Sequence, residues 1–106
     1  MLRHMFLWKV APGADPDEII RILNELPAAI PWIRGWEIGK HHGPVRYANT
    51  WEYGMTVDFD SLADYNAYSD HPVHQEIVPK IVPMFAARAV VDIELSDKAA
   101  IKSGQR

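Results

Sequence analysis

At 106 residues the chain is long enough to bury one hydrophobic core and too short for two, so it reads as a single domain. Its 11 basic and 14 acidic residues are interspersed and leave a net charge of −3, with no basic stripe to engage nucleic acid. There is no cysteine, which excludes disulfides, thiolate zinc sites and cysteine nucleophiles and fits a reducing, cytoplasmic setting.

Residues Leu2 to Val10 are apolar on both alternating faces, with His4, Phe6 and Trp8 on one and Met5 and Leu7 on the other. A strand of this kind wants cover on both sides. The Met5–Trp8 run after Arg3 imitates the apolar core of a secretion signal, but Lys9 stops it and a Pro12-Gly13 turn follows. No segment approaches the length of a membrane span. Asp15-Pro16-Asp17-Glu18 is a helix start, with a capping carboxylate, proline at the first position and acids in the first turn. Ile19, Ile22, Leu23 and Leu26 then mark the buried stripe of an amphipathic helix that Pro27 and Pro31 close. Arg34 to Lys40 predicts a second strand carrying Trp36 and Ile38, and His41 to Asn49 a loop in which the adjacent His41 and His42 are solvated.

The cleanest pattern in the chain is the alternation of Trp51, Tyr53, Met55, Val57 and Phe59 with polar or small residues, which predicts a half-buried strand. Ser61 caps a second helix, with Asp64 three residues on, and Leu62, Tyr65 and Tyr68 fall along a common side. Pro72 disfavours helical geometry in His71, so the helix breaks and a new helical turn begins with His74 near its start. Pro79 and Pro83 limit that segment to short pieces, and Arg88 to Leu95 predicts a last strand with Ala89, Val91, Ile93 and Leu95 on one face. The boundaries that follow are a domain over residues 1–95 and a polar tail over 96–106.

Strand, helix, strand, strand, helix, strand is the order of an α+β ferredoxin-like plait, βαββαβ, with both helices on one face of an antiparallel sheet. Met5, Leu7, Ala89, Val91 and Ile93 cannot all be covered from the helix side. The second face is therefore expected to pack against another copy, as a homodimer.

The chemistry-bearing residues are His4, Tyr68 and His74. An imidazole titrates nearest neutrality, and histidines beside a phenol can move protons without a cofactor. His74 in an apolar cavity would stay neutral and able to accept a proton; its plainer role is a core hydrogen bond at the helix break. Tyr68 either orients that base or simply buries its ring. His4, between Leu2 and Phe6 on a buried face, needs a polar partner in either case. His71 reads as a capping residue before Pro72. Asp70, His71 and His74 are too few to make a convincing metal site, so no metal and no cofactor is expected. No glycine-flanked serine marks a nucleophile elbow, and there is no phosphate loop.

Arg3-His4 opening the first strand, Tyr68-x-x-His71-Pro72-x-His74 after the second helix and Val90-Val91-Asp92 in the last strand together resemble the stress-responsive dimeric α/β-barrel family, over Leu2 to Leu95. The resemblance extends to a plant polyketide cyclase of that family. It implies that His74 is a catalytic base, Tyr68 its partner and His4 a third catalytic residue. By the same likeness Phe6, Trp8, Ile19, Ile20, Leu23, Trp36, Met55, Ile77, Val78, Phe85 and Val90 line a cavity for a hydrophobic small molecule. The bulk of Trp8, Trp36 and Phe85 implies a pocket shaped differently from one that holds a long alkyl tail. The expected function is cofactor-independent proton transfer on a carbonyl-bearing or aromatic compound, by cyclisation, isomerisation or elimination. The alternatives are a non-catalytic stress-associated binding dimer and a cofactor-free monooxygenase.

Overall fold

The computed structural model describes residues 1–96, so the expected polar tail lies outside the described residues apart from Ser96. The elements are β1 (Leu2–Val10), α1 (Pro16–Leu23), α2 (Glu25–Ala29), β2 (Gly35–Lys40), β3 (Tyr53–Phe59), α3 (Leu62–Asp70), α4 (Pro72–Ile81) and β4 (Phe85–Glu94), with a 3-10 turn over Val82–Met84. The four strands form one antiparallel sheet in the order β2-β3-β1-β4, and the helices cover one face of it. This is the ferredoxin-like α+β plait. Among the described residues no helix is long and apolar enough to cross a membrane.

Local rules account for most element ends. Gly13 adopts φ +82 in the turn after β1, a conformation that costs glycine little. The Asp15 carboxylate accepts from the Asp17 N–H, with Pro16 at the first helical position. The single amphipathic helix expected through Leu26 is instead two, α1 and α2, divided at Asn24. Pro27 explains the division, because it has no N–H for the Leu23 carbonyl and its ring would press on it. The buried stripe survives, since Ile19, Ile22, Leu23 and Leu26 all enter the core.

Three further boundaries differ from the periodicity. β3 begins at Tyr53, two residues after Trp51; on the β1 side the Val10 N–H is taken by the Glu52 side chain in place of a backbone carbonyl, while the Glu52 carbonyl still accepts the His41 N–H on the β2 side. α4 runs through Pro79 for ten residues. Gln75 and Pro79 are both exposed, so the carbonyl that Pro79 leaves without a donor lies on the solvent side, where water replaces the bond. Leu62 is exposed, and only Tyr65 and Tyr68 of its expected stripe turn inward. β4 starts at Phe85, three residues early.

The pleat of β1 divides the sheet. His4, Phe6 and Trp8 face the helices with their cross-strand partners Val57, Met55 and Tyr53. Met5 and Leu7 lie on the open face beside Val91 and Ala89, and Val91 and Ile93 are 52% and 42% exposed. Also on that face, Arg3 donates to both Asp58 carboxylate oxygens at 2.8 and 3.0 Å. A Cβ at Gly35 would stand 2.9 Å from Asp58 Oδ2, whereas one at Gly39 would meet nothing within 4 Å. Gly35→Ala is therefore expected to lower stability by about 1–2 kcal/mol. Gly39→Ala should be neutral or stabilising by up to about 1 kcal/mol. Chemical denaturation of the two variants checks the contrast.

Candidate active site

The site is assembled from β1, β4 and the α3–α4 corner. Alternation sends His4 to the helix face of β1, and the antiparallel register sets it directly opposite Asp92 on β4. His4 is 8% exposed, and its Nδ1 lies 2.5 Å from Asp92 Oδ1. A carboxylate only accepts, so Nδ1 carries the proton and Nε2 is left for the cavity. The carboxylate thus fixes both the tautomer and the tilt of the ring.

Ser61 caps α3 by accepting the Asp64 N–H, which sets the phase of the helix. Tyr65 and Tyr68, one turn apart, then face the sheet. α3 ends where Pro72 forces His71 into extended geometry, φ −62 and ψ 139. The His71 Nδ1 accepts the Val73 N–H and caps α4, with Pro72 at the first helical position. His71 is thereby a structural residue. Because α4 restarts so abruptly, His74 falls in its first turn and returns toward Tyr68, the two rings 4.8 Å apart. His4 stands 5.1 Å from the Tyr65 ring and 6.3 Å from that of Tyr68.

The rings differ in their electrostatics. Burial pushes the phenol of the 2% exposed Tyr68 far above its ordinary range, and Tyr65 adds to the effect, so the hydroxyl keeps its proton. Burial also raises the Tyr65 phenol, as does the Asp92 carboxylate beside it. Burial holds His74 below the usual histidine value, and His4 pushes the same way; the Ser69 carbonyl and the Asp70 carboxylate oppose them. Its buried Nδ1 makes no hydrogen bond among the described residues. His74 is thus a neutral imidazole with an unused ring nitrogen.

These groups lie at a cavity of about 510 Å³ between the helices and the edge of the sheet. Its wall includes His4, Tyr68 and His74 together with Phe6, Leu23, Met55, Ile77, Val78, Phe85 and Val90. It does not include Trp8, Ile19, Ile20 or Trp36, for which a lining place was expected. Trp8 and Ile19 are fully buried core residues, Trp8 stacked on Tyr53 at 5.7 Å. Ile20 packs against the core from its margin, and Trp36 turns its Nε1 to Asn24 Oδ1 at 2.8 Å. Of the bulky aromatics expected to shape the pocket, Phe85 alone is in the wall.

The sequence pattern assigns Asp92, Tyr65, Ser69 and Arg88 no part in the site, yet Asp92 holds His4 and the other three line the cavity. A signal for two of them was present. Alternation in β4 puts Arg88, Val90 and Asp92 opposite Ala89, Val91 and Ile93, and charged residues on a strand's inward face call for an explanation. His41 and His42 are exposed in the β2–β3 loop, far in sequence from the cavity wall. Among the described residues no group of three His, Asp or Glu side chains is placed to ligate a metal. His71 spends a ring nitrogen on its cap, which removes it from the one set the spacing suggested.

No functionally curated protein matches the chain. Among solved structures it is similar to a dimeric ferredoxin-like protein of unknown function from Thermobifida fusca, with 32% identity, TM-score 0.75, and coverage of 89% of this chain and 90% of that one. It is also similar to a dimeric protein of unknown function with a ferredoxin-like fold from Bacteroides fragilis, at 28% identity, TM-score 0.65, and 89% and 95% coverage. A hydroxynitrile lyase from Passiflora edulis shares the fold, with TM-score 0.82 at 20% identity over 91% of this chain and 94% of that one. Residues 2–95 match the model of the stress responsive A/B barrel domain, and the chain belongs to that family.

Proposed function

We propose that this protein is a small, cofactor-independent enzyme that abstracts a proton beside a carbonyl on a hydrophobic or aromatic molecule, leading to cyclisation, isomerisation or elimination. The observation that carries this reading is the His74 imidazole beside Tyr68 in the wall of an apolar cavity, where burial keeps it neutral. Desolvation favours the neutral base, and a neutral imidazole in the cavity wall can accept a proton from the substrate. Tyr68, reluctant to ionise, donates its O–H to the oxygen on which charge develops. His4, its tautomer held by Asp92, presents the Nε2 lone pair to the cavity and accepts a hydrogen bond from a substrate hydroxyl.

Proton abstraction predicts that aryl ketones incubated with the protein in heavy water exchange the hydrogens beside the carbonyl, followed by proton NMR. The rate should be unchanged by a chelator and by exclusion of oxygen, the latter separating this reading from oxygen-consuming chemistry. His74→Ala should slow exchange by about 10²–10⁴-fold. Tyr68→Phe should slow it by about ten- to a hundredfold. Exchange at the full wild-type rate in both variants would remove the assigned roles. The aliphatic and aromatic wall equally suits a binding dimer without turnover, which predicts ligand-dependent thermal stabilisation and no exchange.

The depressed pKa of His74 fixes the direction of the pH effects. Activity should rise with pH through a midpoint below the ordinary 6.5 and be flat at pH 7. A histidine with a folded value below its unfolded one gives stability that is complete above the unfolded value. That stability is lost as pH falls from about 6.5 toward the folded value. The thermal midpoint should therefore fall less between pH 7.5 and 5.5 in His74→Ala than in the wild type.

The proposed assembly is a homodimer through the open sheet face, where Met5, Leu7, Ala89, Val91 and Ile93 lack cover. The similar Thermobifida and Bacteroides proteins are dimeric. Light scattering should give twice the 12.1 kDa chain mass, and Val91→Lys should shift it toward one.

A further inference from the structure

We infer that Arg88 binds a carboxylate of the ligand, so that the substrate class is a hydrophobic keto acid held by its carbonyl at one end of the cavity and its anion at the other. The inference rests on the reading of the cavity as a carbonyl-ligand site. Arg88 lines the cavity and is the one permanently charged side chain in its wall. It makes no ion pair or hydrogen bond among the described residues, although acids outnumber bases in the chain. Arg3 is engaged by Asp58, Arg21 by Glu18 and Arg34 by Asp60, while Arg46, also unpaired among the described residues, is exposed in the β2–β3 loop and is absent from the cavity wall.

The placement is set by register. Arg88 stands opposite Trp8, Val90 opposite Phe6 and Asp92 opposite His4, so all three project to the helix side of the sheet. Four residues along β4 put the Arg88 and Asp92 backbones about 13 Å apart. Between them the wall is Phe6 and Val90, with no charge. Arg88 and the 59% exposed Val90 lie at the open margin of β4, where a ligand enters. A guanidinium presents paired donors that match a carboxylate, and one such group at a rim suits a single negative charge better than a phosphate with two.

The probes are ω-oxo-ω-phenylalkanoates with two to five methylenes, each compared with its methyl ester by titration calorimetry. The wild type should bind the best-fitting acid about tenfold more tightly than its ester, a ratio that shrinks as salt rises from 50 to 500 mM. Arg88→Gln should erase the difference while leaving ester affinity and the thermal midpoint unchanged, and Arg88→Lys should keep part of it. Equal binding of acid and ester by the wild type, or an acid preference that survives Arg88→Gln, overturns the assignment of Arg88 alone. If no ester and no acid binds, the carbonyl-ligand reading fails and the assignment falls with it.

Discussion

Two adjacent residues of β1 each reach across to a carboxylate on a neighbouring strand, and they do so on opposite faces. Arg3 takes Asp58 of β3 on the open face, while His4 takes Asp92 of β4 on the helix face. Both pairs join residues directly opposite one another in the ladders. Part-exposed pairs of this kind contribute only about 1 kcal/mol or less each to stability. Their greater consequence is geometric. A slip of one residue would turn every side chain of the strand over, bring Met5 and Leu7 to the helices and carry His4 out of the cavity. Gly35 belongs to the same lock, since only a residue without a side chain leaves room for the Asp58 carboxylate.

The other half of the site depends on a proline. Pro72 stops α3 at Asp70 by excluding helical geometry from His71, and the same proline is well suited to start α4. The corner that results is short enough for the first turn of one helix to face the last turns of the other. Tyr68 and His74 meet there, six residues apart in sequence and 4.8 Å apart in space. His71 links the two helices without taking part in the cavity, as cap to the second and end to the first.

The two histidines of the cavity are made different by their surroundings. His4 has a carboxylate that fixes its tautomer, and it packs beside the rings of Tyr65 and Tyr68. His74 has desolvation, an unused Nδ1 and a neighbouring histidine that disfavours charge on it. One arrangement positions an imidazole and the other preserves a lone pair. Their separation by environment lets two residues of one type serve different roles at a common pH.

Local signals in the sequence settled the order of elements, because alternation in β3, the Asp15 and Ser61 caps and the stop at Pro72 act over a few residues. The same signals identified His4, Tyr68 and His74, since polar groups on otherwise apolar faces stand out against the pattern. They misjudged the ends of β3 and α4 and the continuity of the first helix. The first depends on the Glu52 contact with Val10, 42 residues away, and the second on which side of α4 the bond lost at Pro79 falls; the Pro27 break follows a local rule that the continuing apolar stripe masked. Only the tertiary structure decided that Asp92 partners His4, because the two are 88 residues apart and meet through strand register alone. It also decided that Trp8, Ile19, Ile20 and Trp36 lie off the cavity wall and Arg88 on it. Sequence periodicity tells which face a side chain takes, but whether that face is packed core or open wall depends on how far the helices stand from the sheet.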